Sequence, residues 1–344
     1  MNRREFLATS ASGAASLALP GLTLARSAPA KSKIVRIAED HFELISDSPS
    51  NVRILQVTDT HFGKPSDMER ATDSLTRKLI RSLIDEQKPD LIFHSGDFIN
   101  NDVEGVEHGA IDFMNDLGTP WSLVFGNHDH SSGQRNGLKL DDYYKRLMNH
   151  ATGYHTFKKD GVDSREYCFR IDVKSLKGKP TTTILGFNSG GQNIPMHVSE
   201  NQRTWFREQL EADAKVGQNQ PIIVMQHIPM IEYKTLFEEH AAVGRQGENV
   251  CFEIDKGDVF EMYRASGRVK GVFCGHDHVN DYIGNHKGIR LAYGRVTGWS
   301  GYGDWQRGGR VIDLEPSARA FKTRVVLSKG AHDKAEWAKT LADS

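Results

Sequence analysis

The sequence predicts an α/β protein in which two β-sheets pack as a sandwich with helices outside, within one domain over residues 31–328. Three observations predict it. The first half alternates short apolar runs with stretches whose apolar residues recur every three or four positions, the pattern of strand–helix–strand units that pair in parallel through right-handed crossovers. The second half is strand-rich, which requires a second sheet packed on the first. Hydrophobic residues make up 38% and charged residues 26% of the chain, a composition that builds a core and is unlike a disordered chain. No linker or internal repeat divides the domain.

Each element follows from its pattern. Residues 52–57 alternate and then stay apolar, as a strand entering a core does. Leu75, Leu79, Ile80, Leu83 and Ile84 fall on one helical face, and Pro89 ends that helix. Residues 90–94 read as a buried strand, 104–117 as a helix through Val106, Ile111, Phe113, Met114 and Leu117, and 121–125 as a third strand. A helix is expected over about 139–149, strands over 166–173 and 181–187, and a helix over 199–214. The apolar run Pro221–Met225 is a central strand. A long polar segment, 229–256, is expected as a loop, either a wall or a lid. A helix near 257–266 and strands at 269–274, 281–284, 289–292, 309–314 and 321–327 complete the domain, and residues 329–344 form a polar tail.

The first thirty residues read as an address. Arg3 and Arg4 precede a mild apolar run, Phe6 to Leu24, broken near its end by Pro20 and Gly21, which resembles a bacterial twin-arginine export signal, with cleavage expected after Ala30 or alternatively Ala25. The run is poor in large apolar residues, so no stable membrane anchor is expected. Export by the twin-arginine machinery implies a periplasmic or secreted product. The formal charge of −1 becomes −3 once residues 1–30 leave with three arginines and one glutamate. That balance argues against a nucleic-acid partner bound through a dense basic face. Cys168, Cys251 and Cys274 lack paired spacing and sit in apolar surroundings, so buried thiols are expected.

The chemistry lies at the strand ends. The strong strands end in Thr58-Asp59-Thr60-His61, His94-Ser95-Gly96-Asp97, Gly126-Asn127-His128-Asp129, Gln226-His227 and Gly275-His276-Asp277-His278. Open α/β sheets place their sites at such carboxyl ends. Each motif alone is common in turns, but the ordered set gathers carboxylates, an amide and imidazoles, which suit Zn²⁺, Mn²⁺ or Fe²⁺.

This set resembles the calcineurin-like metallophosphoesterase superfamily across essentially the whole mature chain, and within it the branch related to purple acid phosphatases. That resemblance implies a four-layer α/β/β/α sandwich of two mixed sheets. Purple enzymes have Gly where this chain has His61 and Tyr where it has Asn100, so the chain is similar to relatives that lack the tyrosine ligand. The resemblance assigns one metal ion to Asp59, His61, Asp97 and His278, and a second to Asp97, Asn127, His227 and His276, with Asp97 bridging. Two divalent ions roughly 3.5–4 Å apart lower the pKa of bound water to about 7 and so supply a hydroxide nucleophile. Lacking a tyrosinate, such a centre is expected to be colourless.

The implied activity is an exported phosphomonoesterase. Hydrolysis of small diesters, such as cyclic nucleotides or glycerophosphodiesters, is the alternative, and a non-catalytic metal-binding module is a further one. The resemblance gives His128 the role of steadying phosphoryl oxygens or protonating the leaving group, and Asp129 that of orienting His128 or His61, or of forming the turn. His94 is expected in the core, and His130 has no role assigned. Residues 188–191 either line the cleft or make a turn. Tyr293, Trp299, Tyr302 and Trp305 either wall an organic leaving group or pack the sheet edge. Arg245, Arg295 and Arg307 are candidates for gripping phosphate.

Overall fold

A computed structural model describes residues 32–63, 67–100, 106–129, 153–154, 164–190, 194–315 and 320–327. Residues 1–30, read above as an export leader, the helix expected at 139–149, His130 and the tail lie outside these residues.

One sheet contains β3 (Arg53–Val57), β4 (Leu91–His94), β5 (Trp121–Leu123) and β6 (Gly153–Tyr154), all parallel, with β14 (Gly308–Leu314) antiparallel beside β3 and β15 (Phe321–Leu327) antiparallel beside β14 at the edge. The crossover helices are α1 (Asp67–Gln87) and α2 (Val106–Asn115). The other sheet is built on parallel β8 (Thr182–Gly186), β9 (Ile222–Met225), β11 (Val269–Cys274) and β13 (Ile289–Tyr293). It continues on one side through β7 (Phe169–Lys174) to β2 (His41–Ile45) and β1 (Lys33–Arg36), and on the other through β12 (Ile283–His286) to β10 (Ala242–Val243). Helices α3 (Glu200–Lys215), α4 (Glu232–Glu238) and α5 (Asp258–Ala265) belong to this half. Helix α3 starts on a reciprocal cap between Ser199 and Gln202, which satisfies two otherwise orphaned amides.

The side-chain period of two explains why the strands are apolar throughout. Ile54, Phe93, Ile223, Met225 and Phe273 meet between the sheets. Their neighbours Leu55, Ile92 and Val57 face Leu79, Ile80, Leu83, Ile111 and Met114 from α1 and α2. Val224 and Val272 face Trp205, Phe206, Phe260 and Tyr263 from α3 and α5. The result is the four-layer α/β/β/α sandwich, with the carboxyl ends of β3, β4, β5, β9 and β11 directed to one cleft. Among the described residues, no helix is long and apolar enough to cross a membrane.

Three readings of the sequence need correction. Strands β1 and β2 went unpredicted, being only four and five residues long, although Phe42 and Leu44 of β2 do alternate inward. Segment 229–256 contains α4 and β10 and is docked on the protein: Asn280 Oδ1 accepts the amides of Gly247 and Glu248, and Asp281 Oδ1 accepts that of Arg245. Cys168 and Cys274 are buried, but Cys251 is exposed, because residues 250–253 form a surface loop rather than a strand.

Candidate metal centre

Four of the candidate ligands depart from ordinary backbone geometry. Asp59, His61, Asp97 and His276 have φ of +54°, +44°, +52° and +77°. Such left-handed residues cost about 1–3 kcal/mol each and persist only where their surroundings dictate them. Here the two loops beyond β3 and β4 are laced together: the amides of Asp59, His61 and Phe62 donate to the carbonyls of Gly96, Asp97 and Phe98 at 2.9–3.0 Å. The His276 amide donates to both Asp59 carboxylate oxygens, at 3.2 and 3.3 Å. Two glycines let the groups close in. A Cβ on Gly96, at φ +99°, would lie 2.4 Å from His227 Nδ1, and one on Gly126 would lie 2.3 Å from Asp97 Oδ1.

The side chains converge in two overlapping sets. Donor atoms of Asp59, His61, Asp97 and His278 all lie within 4.8 Å of one another, and so do those of Asp97, His227 and His276. In the first set, His61 Nε2 is 3.1 Å from His278 Nε2, Asp97 Oδ2 is 3.6 Å from His61 Nε2, and Asp59 Oδ1 is 3.4 Å from His278 Nε2. In the second, His227 Nε2 is 3.3 Å from Asp97 Oδ2 and 3.1 Å from Asn127 Oδ1. Ligands of one ion bound at about 2.0–2.2 Å are roughly 3–3.6 Å apart, so the spacing suits coordination. His227 Nδ1 lies 2.8 Å from the Ser95 carbonyl, which holds one ring proton there and turns Nε2 toward the carboxylates.

The electrostatics agree. Burial by itself would raise Asp59 and Asp97, but the surrounding imidazoles prevail and hold both below the usual carboxylate range. Burial lowers His61 to about 3 and His276 to about 4, keeping both rings neutral with a free lone pair. Burial opposes charge on His227 too, yet Asp97 and Asp59 raise it to about 9. Two buried carboxylates thus draw a proton onto the nearest imidazole, as a site shaped for cations does. This donor set fits divalent ions.

His128 lines the same cleft, of about 230 Å³, with Asn100, Ser300 and Tyr302. Its amide donates to Asp97 Oδ1 at 2.8 Å, its ring meets that of His61 edge-on at 4.8 Å, and its buried Nδ1 has no hydrogen-bond partner among the described residues. Asp129 takes the turn-forming role. Oδ1 accepts the amides of Phe98 and Ile99, and Oδ2 that of Gly126, at 2.9–3.0 Å. Its burial, with the charge of Asp97 adding, pushes it up to about 7. Asp129 is therefore a positioning residue that ties the β4 loop to the β5 loop. Asp129→Ala is expected to lower stability by about 3 kcal/mol or more, at ~1–3 kcal/mol for each amide left unsatisfied. A thermal melt checks this; an unchanged midpoint would show that the amides find other partners.

The other sequence candidates separate. His94 is a core residue: Thr60 Oγ1 donates to the Phe98 carbonyl and so receives the His94 Nε2 proton, while Nδ1 accepts the Gly96 amide. Asn188 and Ser189 position rather than bind. Asn188 Oδ1 accepts the Phe125 amide, and Ser189 Oγ accepts those of His227 and Ile228. Arg295 is paired with Asp281, and the wholly buried Arg307 holds the carbonyls of residues 301–303, so neither grips phosphate. Arg245 stacks over Trp305. Sequence reasoning missed Glu248, whose carboxylate accepts the Val279 amide and the Tyr302 hydroxyl beside His278. It lies in a polar segment with no local pattern to single it out.

Two carboxylates, an amide and four imidazoles gather at the carboxyl ends of two packed sheets, a donor set suited to divalent ions. The chain matches the calcineurin-like phosphoesterase family over residues 52–280 and belongs to that family. It is 29% identical over 276 residues to a protein of Arabidopsis thaliana named probable inactive purple acid phosphatase 28, covering 73% of this chain and 69% of that one. It is 28% identical over 283 residues to probable inactive purple acid phosphatase 14 of the same plant, with the same coverage of 73% and 69%. Among solved structures, a dimetal phosphatase from Danio rerio superposes with a TM-score of 0.46 at 11% identity, over 81% of this chain and all of that one.

Proposed function

We propose that this protein is an exported phosphomonoesterase acting at the cleft around Asp97. The observation that carries the reading is that Asp97 belongs to both donor sets while its Oδ1 holds the backbone of His128 at the cleft. When bound there, two divalent ions supply a water-derived nucleophile and neutralise phosphoryl charge. The chain's own residues do the rest. Asp59 and Asp97 set the negative charge that retains the ions, and neutral His61 and His276 donate lone pairs. His128 either donates a ring N–H hydrogen bond to a phosphoryl oxygen or gives its ring proton to the departing oxygen.

A second reading has a specific observation behind it. The two Arabidopsis relatives carry the word inactive in their names, which favours a metal-binding module without turnover. This chain has a complete donor set and His128, which supports the enzyme. Elemental analysis followed by a panel of mono- and diesters, with the native metal restored, decides between them. Monoester turnover is the expected result; preferential diester turnover would move the substrate to the alternative class, and no turnover on any ester would favour the module. For the leader, the proposal is twin-arginine export to the periplasm or beyond, with a mature chain beginning after Ala30. Arg3→Lys with Arg4→Lys should hold the protein in the cytoplasm, and an exported double variant would remove the twin-arginine route.

A further inference from the structure

We infer that Tyr302 is the specificity-determining wall of the cleft and that the substrates are phosphoesters whose leaving group is a planar aromatic ring; the inference rests on the phosphoesterase reading above. The four aromatic residues of the Gly-rich stretch divide sharply. Tyr293, Trp299 and Trp305 are buried packing residues, whereas Tyr302 is 50% exposed and lines the cleft. One face of its ring stacks on His278, with centroids 4.0 Å apart and planes 10° from parallel. Its hydroxyl donates to the Glu248 carboxylate at 2.8 Å and accepts the His278 amide at 3.2 Å. With one face stacked and the hydroxyl engaged, the ring has its other face and its edges left to meet a partner.

The ring is held rigidly. Arg307 Nη2 donates to the carbonyls of Gly301, Tyr302 and Gly303 at 3.0–3.1 Å from beneath, and Trp305 Nε1 donates to the His278 carbonyl at 2.9 Å. A partner that stacks there therefore has little ordering cost to overcome. The rest of the cleft is polar: Asn100, Asn127 and Ser300 line it together with the imidazoles. Among the described lining residues, Tyr302 offers the only carbocyclic ring. It lines the same cleft as the donor groups and sits one stacking layer from His278, whose Nε2 lies within the first donor set. A flat ring gains the offset or edge contact that aromatic pairs prefer, and an alkyl group does not.

The test compares phenylphosphonate with methylphosphonate as ligands of the metal-loaded full-length chain, alongside kcat/KM for phenyl and alkyl phosphates. Tyr302→Leu should weaken phenylphosphonate by about tenfold and methylphosphonate by no more than about twofold, with metal content unchanged. Tyr302→Phe, which keeps the ring and loses the hydroxyl's contacts with Glu248 and the His278 amide, should restore the discrimination. Equal weakening of both phosphonates, or a Phe variant as poor as Leu with metal retained, would overturn the inference and leave Tyr302 as a prop for His278. Binding is read without turnover, so the two readings fail separately. A chain that hydrolyses no ester yet still prefers phenylphosphonate through Tyr302 retains the aromatic subsite and loses the phosphoesterase reading.

Discussion

Asp97→Asn is expected to reduce bound metal from two ions per chain to one or none and to cut turnover by at least about 10³-fold, at the upper end for loss of one preorganised electrostatic group. The amide is the same shape as the carboxylate. It still accepts the His128 amide through Oδ1, so the β4 and β5 loops keep their places. What disappears is the negative charge facing both His61 at 3.6 Å and His227 at 3.3 Å. No other residue belongs to both donor sets, so a single substitution weakens both at once. Elemental analysis with steady-state kinetics checks this. Two tightly held ions and near-normal turnover in the variant would mean that the paired site does not depend on Asp97.

His128→Ala separates binding from chemistry. Turnover should fall by about 10²–10⁴, the range for a positioned acid or base, while the chain still holds two ions. The reason is geometric. His128 reaches Asp97 through its backbone, which alanine preserves, whereas its ring lies in the cleft and belongs to neither donor set. A drop in metal content parallel to the drop in rate would make His128 a structural support for the ligands. Unchanged turnover with full metal would remove it from the reaction.

Much of the architecture is legible in the chain because its central strands are buried on both faces. Residues 221–225 are a short apolar run bounded by polar turns, and 269–274 keep Val269, Val272, Phe273 and Cys274 around Lys270 and Gly271, lengths that suit a strand. Their ends are equally plain, since donor residues follow each run directly. The edges are less legible. Strands β1, β2 and β10 and helix α4 owe their form to neighbours far away in sequence rather than to their own pattern. Charge identity was also a poor guide to role. Arg295 and Arg307 serve Asp281 and a loop's carbonyls, and the Asp129 carboxylate serves three amides, because a buried polar group is assigned by whichever unsatisfied partner the fold brings to it.

The amino-acid order alone determined the strand–helix alternation, the sandwich and the list of donors, since period and residue type are local properties. Only the folded chain decided which donors share a centre, that Tyr302 rather than Trp299 or Trp305 faces the cleft, and that the left-handed turns at Asp59, His61, Asp97 and His276 are upheld by the lacing of two loops. Those are relations between groups as much as 217 positions apart, such as His61 and His278. They are set by sheet register and by the packing of one sheet on the other, and no single stretch of sequence encodes either.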